Sequence, residues 1–212
     1  MKWLLLQLAD SAFPTGGFVH SGGLEAASVL GLTQDLAGWV SDGLENAGWS
    51  SLPLATAGFA EHATADAAAE VWLTNPIANR GSRAQGLGWA TTATTVFASP
   101  ALSAVKLACR QPGCGHYAPT FGRVCALVGL SLAEMQRLFL FLHLRGNIST
   151  AIRLGRIGPL EAQRLQARLT PALERVWESC AHLSLEDLAT TAPLQDLAHG
   201  HHDRLYSRLF TT

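Results

Sequence analysis

Residues 5–25, LLQLADSAFPTGGFVHSGGLE, constrain the fold more than any other stretch of this 212-residue chain. Gly16, Gly17, Gly22 and Gly23 permit positive φ and close approach of another backbone. Pro14 fixes its own φ and pushes Phe13 toward an extended conformation. A continuous helix is therefore excluded. The stretch predicts a short apolar segment closed by Asp10, then a folded loop around Pro14-Thr15-Gly16-Gly17. A brief turn through Phe18-Val19-His20 follows, and a Gly22-Gly23 break precedes a helix led by Leu24 and Glu25. A flexible connector has no use for Phe13 and Phe18, so the loop is expected to pack.

The rest of the chain reads as helix almost throughout. Thr33 is the expected N-cap of a helix with Asp35 in its first turn and Leu36, Trp39, Val40 and Leu44 on one face. Ser50, Ser51 and Pro53 open an alanine-rich helix through 54–69, broken at Asn75-Pro76. A third long segment spans about 82–98, and Ser99-Pro100 starts another. Residues 109–119 form a loop. Ser131 and Glu134 make a capping box for a helix from Leu132 to Ser149 or beyond, whose 138–142 run (LFLFL) is apolar all round and belongs inside the core. Gly155 and Gly158 interrupt, Pro159 suits a first helical position, and Leu165, Leu169, Leu173 and Val176 form one stripe. Ser184 begins a last short helix. No strand pattern survives comparison with its flanking helix formers. The fold expected is all-α, a single-domain helical bundle over 1–189 with a packed Gly/Pro-rich N-terminal loop and a short irregular C-terminal tail over 190–212.

Composition narrows the function. Net charge is −1 and thirteen of the fifteen basic residues are arginine; a nucleic-acid binder would need a basic face, whereas arginine suits planar contacts with protein carboxylates. Met1 to Leu6 is too short for a secretory leader and no apolar run approaches a membrane span. A cytoplasmic location is expected, with the four cysteines as thiols. There is no phosphate-binding glycine loop followed by lysine, no H-E-x-x-H and no G-x-S-x-G. Ser11, His20 and Glu25 have nothing to bring them together as a triad.

Cys109, Cys114 and His116 form C-x4-C-x-H, a set from which a small helical metalloprotein or metalloenzyme could be built, with Glu61 or His62 as added donors. The alternative is two incidental thiols beside a loop histidine. His199, His201 and His202 could bind a divalent ion loosely, or be ordinary polar residues of a tail. Tyr206, Leu209 and Phe210 are large apolar groups in a polar setting; either they fold back or they dock on another protein. Arg145, Arg153 and Arg156 are solvated charges or a patch for an acidic partner, with 153 and 156 spaced to share a helix face.

The 5–25 stretch resembles the N-terminal signature of the UreF family of urease accessory proteins, carried by Asp10, Pro14, Gly16, Gly17, Phe18, His20, Gly22, Gly23 and Glu25. His202-Asp203-Arg204-Leu205-Tyr206-Ser207-Arg208-Leu209-Phe210 is similar to the family's closing motif. Ser82 to Gly86, Gly115-His116 to Phe121-Gly122, and Ala151 to Leu154 fall in family order. The resemblance implies an all-helical homodimer, not an enzyme, without a tightly bound cofactor. It would bridge a UreD/UreH-type accessory protein and a UreG-type GTPase on apo-urease and couple GTP hydrolysis to nickel delivery. It places partner contacts at Glu25, Arg153, His202, Tyr206, Arg208, Leu209 and Phe210. Three departures stand out: Pro159 where the family has glutamine, Asp203 for glutamate, and Thr211-Thr212 for arginine and serine.

Overall fold

The computed structural model describes residues 3–14 and 16–212, and the all-α expectation holds: no strand occurs among them. Thr15, part of the expected loop, lies outside the described residues, as do Met1 and Lys2. The helices are α1 (Trp3–Ala9), α2 (Leu24–Val29), α3 (Leu36–Ser50), α4 (Leu52–Ala60), α5 (His62–Trp72), α6 (Pro76–Phe97), α7 (Pro100–Ala108), α8 (Tyr117–Leu127), α9 (Leu132–Arg153), α10 (Pro159–Cys180) and α11 (Pro193–Gly200). Single 3-10 turns lie at Gly17–Val19, Leu185–Asp187 and His202–Arg204.

Helix α9 runs through the middle, as its unbroken apolar run required. Met135, Leu138, Phe139, Leu140, Leu142, Leu144 and Ile148 are all buried along it. Its N-terminus carries the full capping box: the Ser131 hydroxyl accepts from the Glu134 amide, while Glu134 accepts from the Ser131 amide at 2.8 Å. Around it the core joins α4, α6, α8 and α10 through Leu52, Leu54, Trp89, Phe121, Val124 and Val176. Trp89 stacks on Phe121 with ring centroids 5.0 Å apart, and Phe121 meets Phe139 edge-on at 5.3 Å. The buried Gln136 is satisfied, donating to Thr56 Oγ1 at 3.0 Å and to the Ala181 carbonyl at 2.8 Å.

Helices α4 and α8 cross with their backbones touching. A Cβ on Gly122 would overlap the Ala55 carbonyl, and one on Gly58 would fall 2.5 Å from Pro119 Cα. Glycine is required at both positions by space.

Several boundaries differ from expectation. Asp35, not Thr33, caps α3, accepting from the Gly38 amide at 3.0 Å, because Thr33 is buried under the Arg156 side chain, which bonds its carbonyl. The alanine-rich segment is two helices: Glu61 adopts an extended φ of −143° and its carboxylate caps α5 by accepting from Ala63 and Thr64. Asn75 caps α6, so that helix begins at Pro76 instead of near Ser82. Pro171 lies inside α10 without ending it, in keeping with the expected stripe from Leu165 to Val176. The turn after Ser184 is one 3-10 turn, and the last helix is α11, inside the segment expected to be irregular.

Candidate functional site: the meeting of the two end segments

The N-terminal loop and the C-terminal segment, each singled out in the sequence, lie against one another. Helix α11 packs on α2, burying Ala198 with Leu24, Ala27, Trp39 and Ala151. Contact this close depends on Gly23, whose φ is +88° and whose missing Cβ would stand 3.0 Å from His199 Cβ. Asn75 extends the hold on α11, donating to the Asp196 carbonyl and carboxylate at 3.0 Å.

Glu25 is the centre of the junction. It sits in the first turn of α2, where an anion is favoured, yet it is only 5% exposed and is spent on the tail. Its carboxylate accepts from the Leu209 amide at 2.6 Å, from the Phe210 amide at 3.2 Å, and pairs with His202 Nε2 at 3.1 Å. His202 is fully buried. One buried anion thus satisfies two backbone donors that have left all regular structure.

The last two residues complete the seam. The Thr211 amide and hydroxyl both donate to the Val19 carbonyl, at 2.8 and 2.9 Å. The Ser21 amide and hydroxyl donate to the Thr212 carbonyl at 2.6 and 3.0 Å, and His20 Nδ1 lies 2.5 Å from Thr212 Oγ1. The two threonines that depart from the family pattern therefore make a dense set of intrachain contacts. Burial lowers the His20 pKa and pushes that of His199 down to about 4.

Arg153 closes the seam from α9. Its guanidinium donates to the Phe18 carbonyl and lies 3.7 Å from the Phe18 ring centroid and 4.1 Å from that of Phe210. The expected pairing of Arg153 with Arg156 on a helix face fails, because α9 ends at Arg153 and Arg156 turns to the Thr33 carbonyl. Arg145 instead donates to the Ala9 carbonyl. From α6, Arg80 grips Asp203 through both terminal nitrogens, at 2.7 and 2.5 Å, and Arg208 adds a contact at 3.0 Å. The Arg80 contact holds the Asp203 carboxyl below the usual carboxylate range.

The choice posed for the tail divides by residue. Phe210 folds back and is 4% exposed, whereas Leu209 is 55% exposed and Tyr206 107%. Phe18, across the seam, is 68% exposed. Arg80, Asn75, Ser21 and Val19 were not among the site residues read from the sequence, because each acts there through a partner more than a hundred residues away.

The candidate metal donors are dispersed into structural roles. Cys109 is buried with its sulfur 3.5 Å from Thr120 Oγ1, and burial raises its pKa and that of Cys114. His116 is fully buried, with Nε2 2.8 Å from Glu70 and Nδ1 3.3 Å from Ser82. The 109–116 loop is fixed by buried Asp66, which accepts from the Gly115 and His116 amides at 2.7 and 2.8 Å. Glu61 is spent as a cap, and His62 reaches Thr120 at 3.1 Å. Among the described residues no group of three or more His, Cys, Asp or Glu side chains could hold a metal ion, the 199–202 histidines included. Nor is any described helix long and apolar enough to cross a membrane.

Comparison with known proteins agrees with the resemblance. The UreF family model matches residues 32–170. Urease accessory protein F of Arabidopsis thaliana is 35% identical over 226 residues, covering 99% of this chain and 92% of the plant protein. The protein of the same name from Oryza sativa subsp. indica is 36% identical over 224 residues, covering 99% and 85%. Urease accessory protein UreF of Paracoccus denitrificans is 32% identical over 212 residues, covering 97% and 94%. These pairings extend beyond the family-model span at both ends, into the segments that meet at the seam. The chain belongs to the UreF family of urease accessory proteins.

Proposed function

We propose that this chain is the scaffold of a cytoplasmic urease-maturation complex. It acts as a homodimer that holds a UreD/UreH-type accessory protein and a UreG-type GTPase on apo-urease. Hydrolysis of GTP by the partner is thereby coupled to insertion of nickel into the urease active site. The scaffold performs no chemistry of its own and keeps no tightly bound cofactor; nickel is cargo of the assembly.

The observation that carries this reading is the exposed Tyr206–Leu209 stretch on a backbone already pinned by Glu25, Arg80 and Val19. Tyr and Arg are typical interface anchors, and an anchor whose backbone is ordered beforehand loses less entropy on docking. Phe18, Leu209 and Tyr206 supply apolar surface, and Arg208 supplies a rim charge. Glu25, His202, Arg153 and Phe210 serve the same contact by holding that surface in shape.

Deleting 203–212 should abolish capture of the UreD/UreH-type protein, but it also strips the contacts of Phe210 and Thr212. Tyr206→Ala combined with Leu209→Ala is the cleaner test, since neither side chain is buried. Co-purification with the UreD/UreH-type protein should fall at least tenfold while helicity and melting temperature stay at the parent values. Undiminished capture of the double variant would remove the tail from the partner interface.

A further inference from the structure

We propose that residues 193–212, helix α11 with the tail, form an acid-released strap, held at neutral pH by the burial of His199 against Gly23 and of His20 against Thr212. The three imidazoles come from three parts of the chain and share one small region of the seam. His20 meets Thr212 Oγ1 at 2.5 Å, His202 meets Glu25 at 3.1 Å, and His199 lies under Gly23.

The junction has little capacity for added positive charge. His199 Nε2 and His202 Nδ1 are buried with no hydrogen-bond partner among the described residues; the closest carboxylate oxygen to the latter is that of Asp203, 3.9 Å away. Glu25 is already committed to His202 and two tail amides. Asp203 is committed to Arg80 and Arg208. His199 is faced by His20 from the loop, His202 from the tail and Arg80 from α6, all of which disfavour its protonation, and by Asp196 on its own helix, which favours it. Arg153 from α9 adds a further cation across the seam.

The linkage has a definite sign. His199 sits at about 4 when docked, against 6.5 for a free imidazole, so the open form binds protons more readily. Docking is therefore fully favoured above about 6.5 and weakens as pH falls toward 4. His199 alone makes opening about tenfold easier at pH 5.5 than at pH 7.5, and His20 acts in the same direction.

Amide hydrogen exchange on the full-length chain tests this, with protection factors corrected for intrinsic exchange at about pH 7.5 and 5.5. Protection of the α11 amides and of the Leu209, Phe210 and Thr211 amides should fall about tenfold or more, while amides of α9 keep theirs. In His199→Gln the pH dependence should flatten, and in the control His182→Gln it should persist. Constant protection, a loss shared by α9, or an undiminished pH response in His199→Gln would each overturn the proposal. Should His199→Gln open the tail at neutral pH, histidine-resolved titration of the unmodified chain decides: a titration of His199 near 6.5 refutes the strap, and one near 4 supports it.

Discussion

Replacing Glu25 with alanine tests the core of the structural argument. The substitution leaves the Leu209 and Phe210 amides and His202 Nε2 without their acceptor in a site 5% exposed to solvent. A hydrogen bond to a charged group contributes about 1.5–3 kcal/mol, so three such contacts set an upper bound of about 4.5–9 kcal/mol. The tail need not bear that cost, because it can leave and take its amides to water. What it then loses is burial of Phe210, about 2–3 kcal/mol, together with the Thr211 and Thr212 hydrogen bonds. At about 1 kcal/mol for each of those bonds the two costs are of similar size, and on either route the docked tail loses several kcal/mol relative to the open one. Glu25→Ala should thus undock residues 205–212 while α4, α8 and α9 keep their packing. Exchange protection of the Leu209–Thr211 amides should fall by about a hundredfold or more, with loss of circular dichroism confined to a residue or two of helix. Parent-like protection of those amides would refute the account of Glu25 as the acceptor that holds the tail. A cooperative loss of the whole fold would refute the claim that the seam is separable from the core.

Three further outcomes follow from particular contacts. Gly122→Ala forces a Cβ into the Ala55 carbonyl, rigid backbone on both sides, and should destabilise the chain by about 3 kcal/mol or more in urea unfolding; a change below about 1 kcal/mol would mean that α4 and α8 can part freely. Asp66→Ala orphans the Gly115 and His116 amides and should cost about 2–4 kcal/mol, read by thermal unfolding alongside faster labelling of the buried Cys109 thiol. Arg153→Glu removes a cation held between Phe18 and Phe210 and should weaken both tail docking and recruitment of the UreG-type GTPase, measured by exchange and by co-purification; normal urease activation in cells carrying it would exclude Arg153 from the function.

What the sequence displayed was local. Ser131 with Glu134, Pro100, and Gly158 before Pro159 mark helix starts within a few residues, because caps and proline act on their own neighbourhood. The apolar run of α9 was legible as core for the same reason. The failures fall where tertiary contact outweighs propensity. Alanine-rich 54–69 has every local reason to continue as one helix, yet α8 presses on Gly58 and the chain turns at Glu61, whose carboxylate then serves as a cap. Thr33 and Asp35 are both capping residues by type, aspartate the stronger, and Thr33 is buried with its carbonyl bonded by Arg156, which leaves the role to Asp35. The stripe from Leu165 to Val176, by contrast, was legible across Pro171, and α3 and α9 hold it on both sides of that residue.

The seam shows the limit more sharply. Both end segments were visible as constrained, since glycine pairs and terminal aromatics are costly unless used. Their dependence on each other was not. Glu25 reads as an ordinary first-turn acid, and only the folded chain brings Leu209 and Phe210, more than 180 positions away, to its oxygens. That geometry also divides the tail between groups that fold back and groups left exposed. Phe210 and Thr212 fix the backbone, and the fixed backbone leaves Tyr206 and Leu209 in water. A tail that buried all its apolar groups would have nothing to offer a partner, and one that buried none would lose more entropy on binding. Dividing the work between neighbouring residues gives an exposed surface on an ordered support.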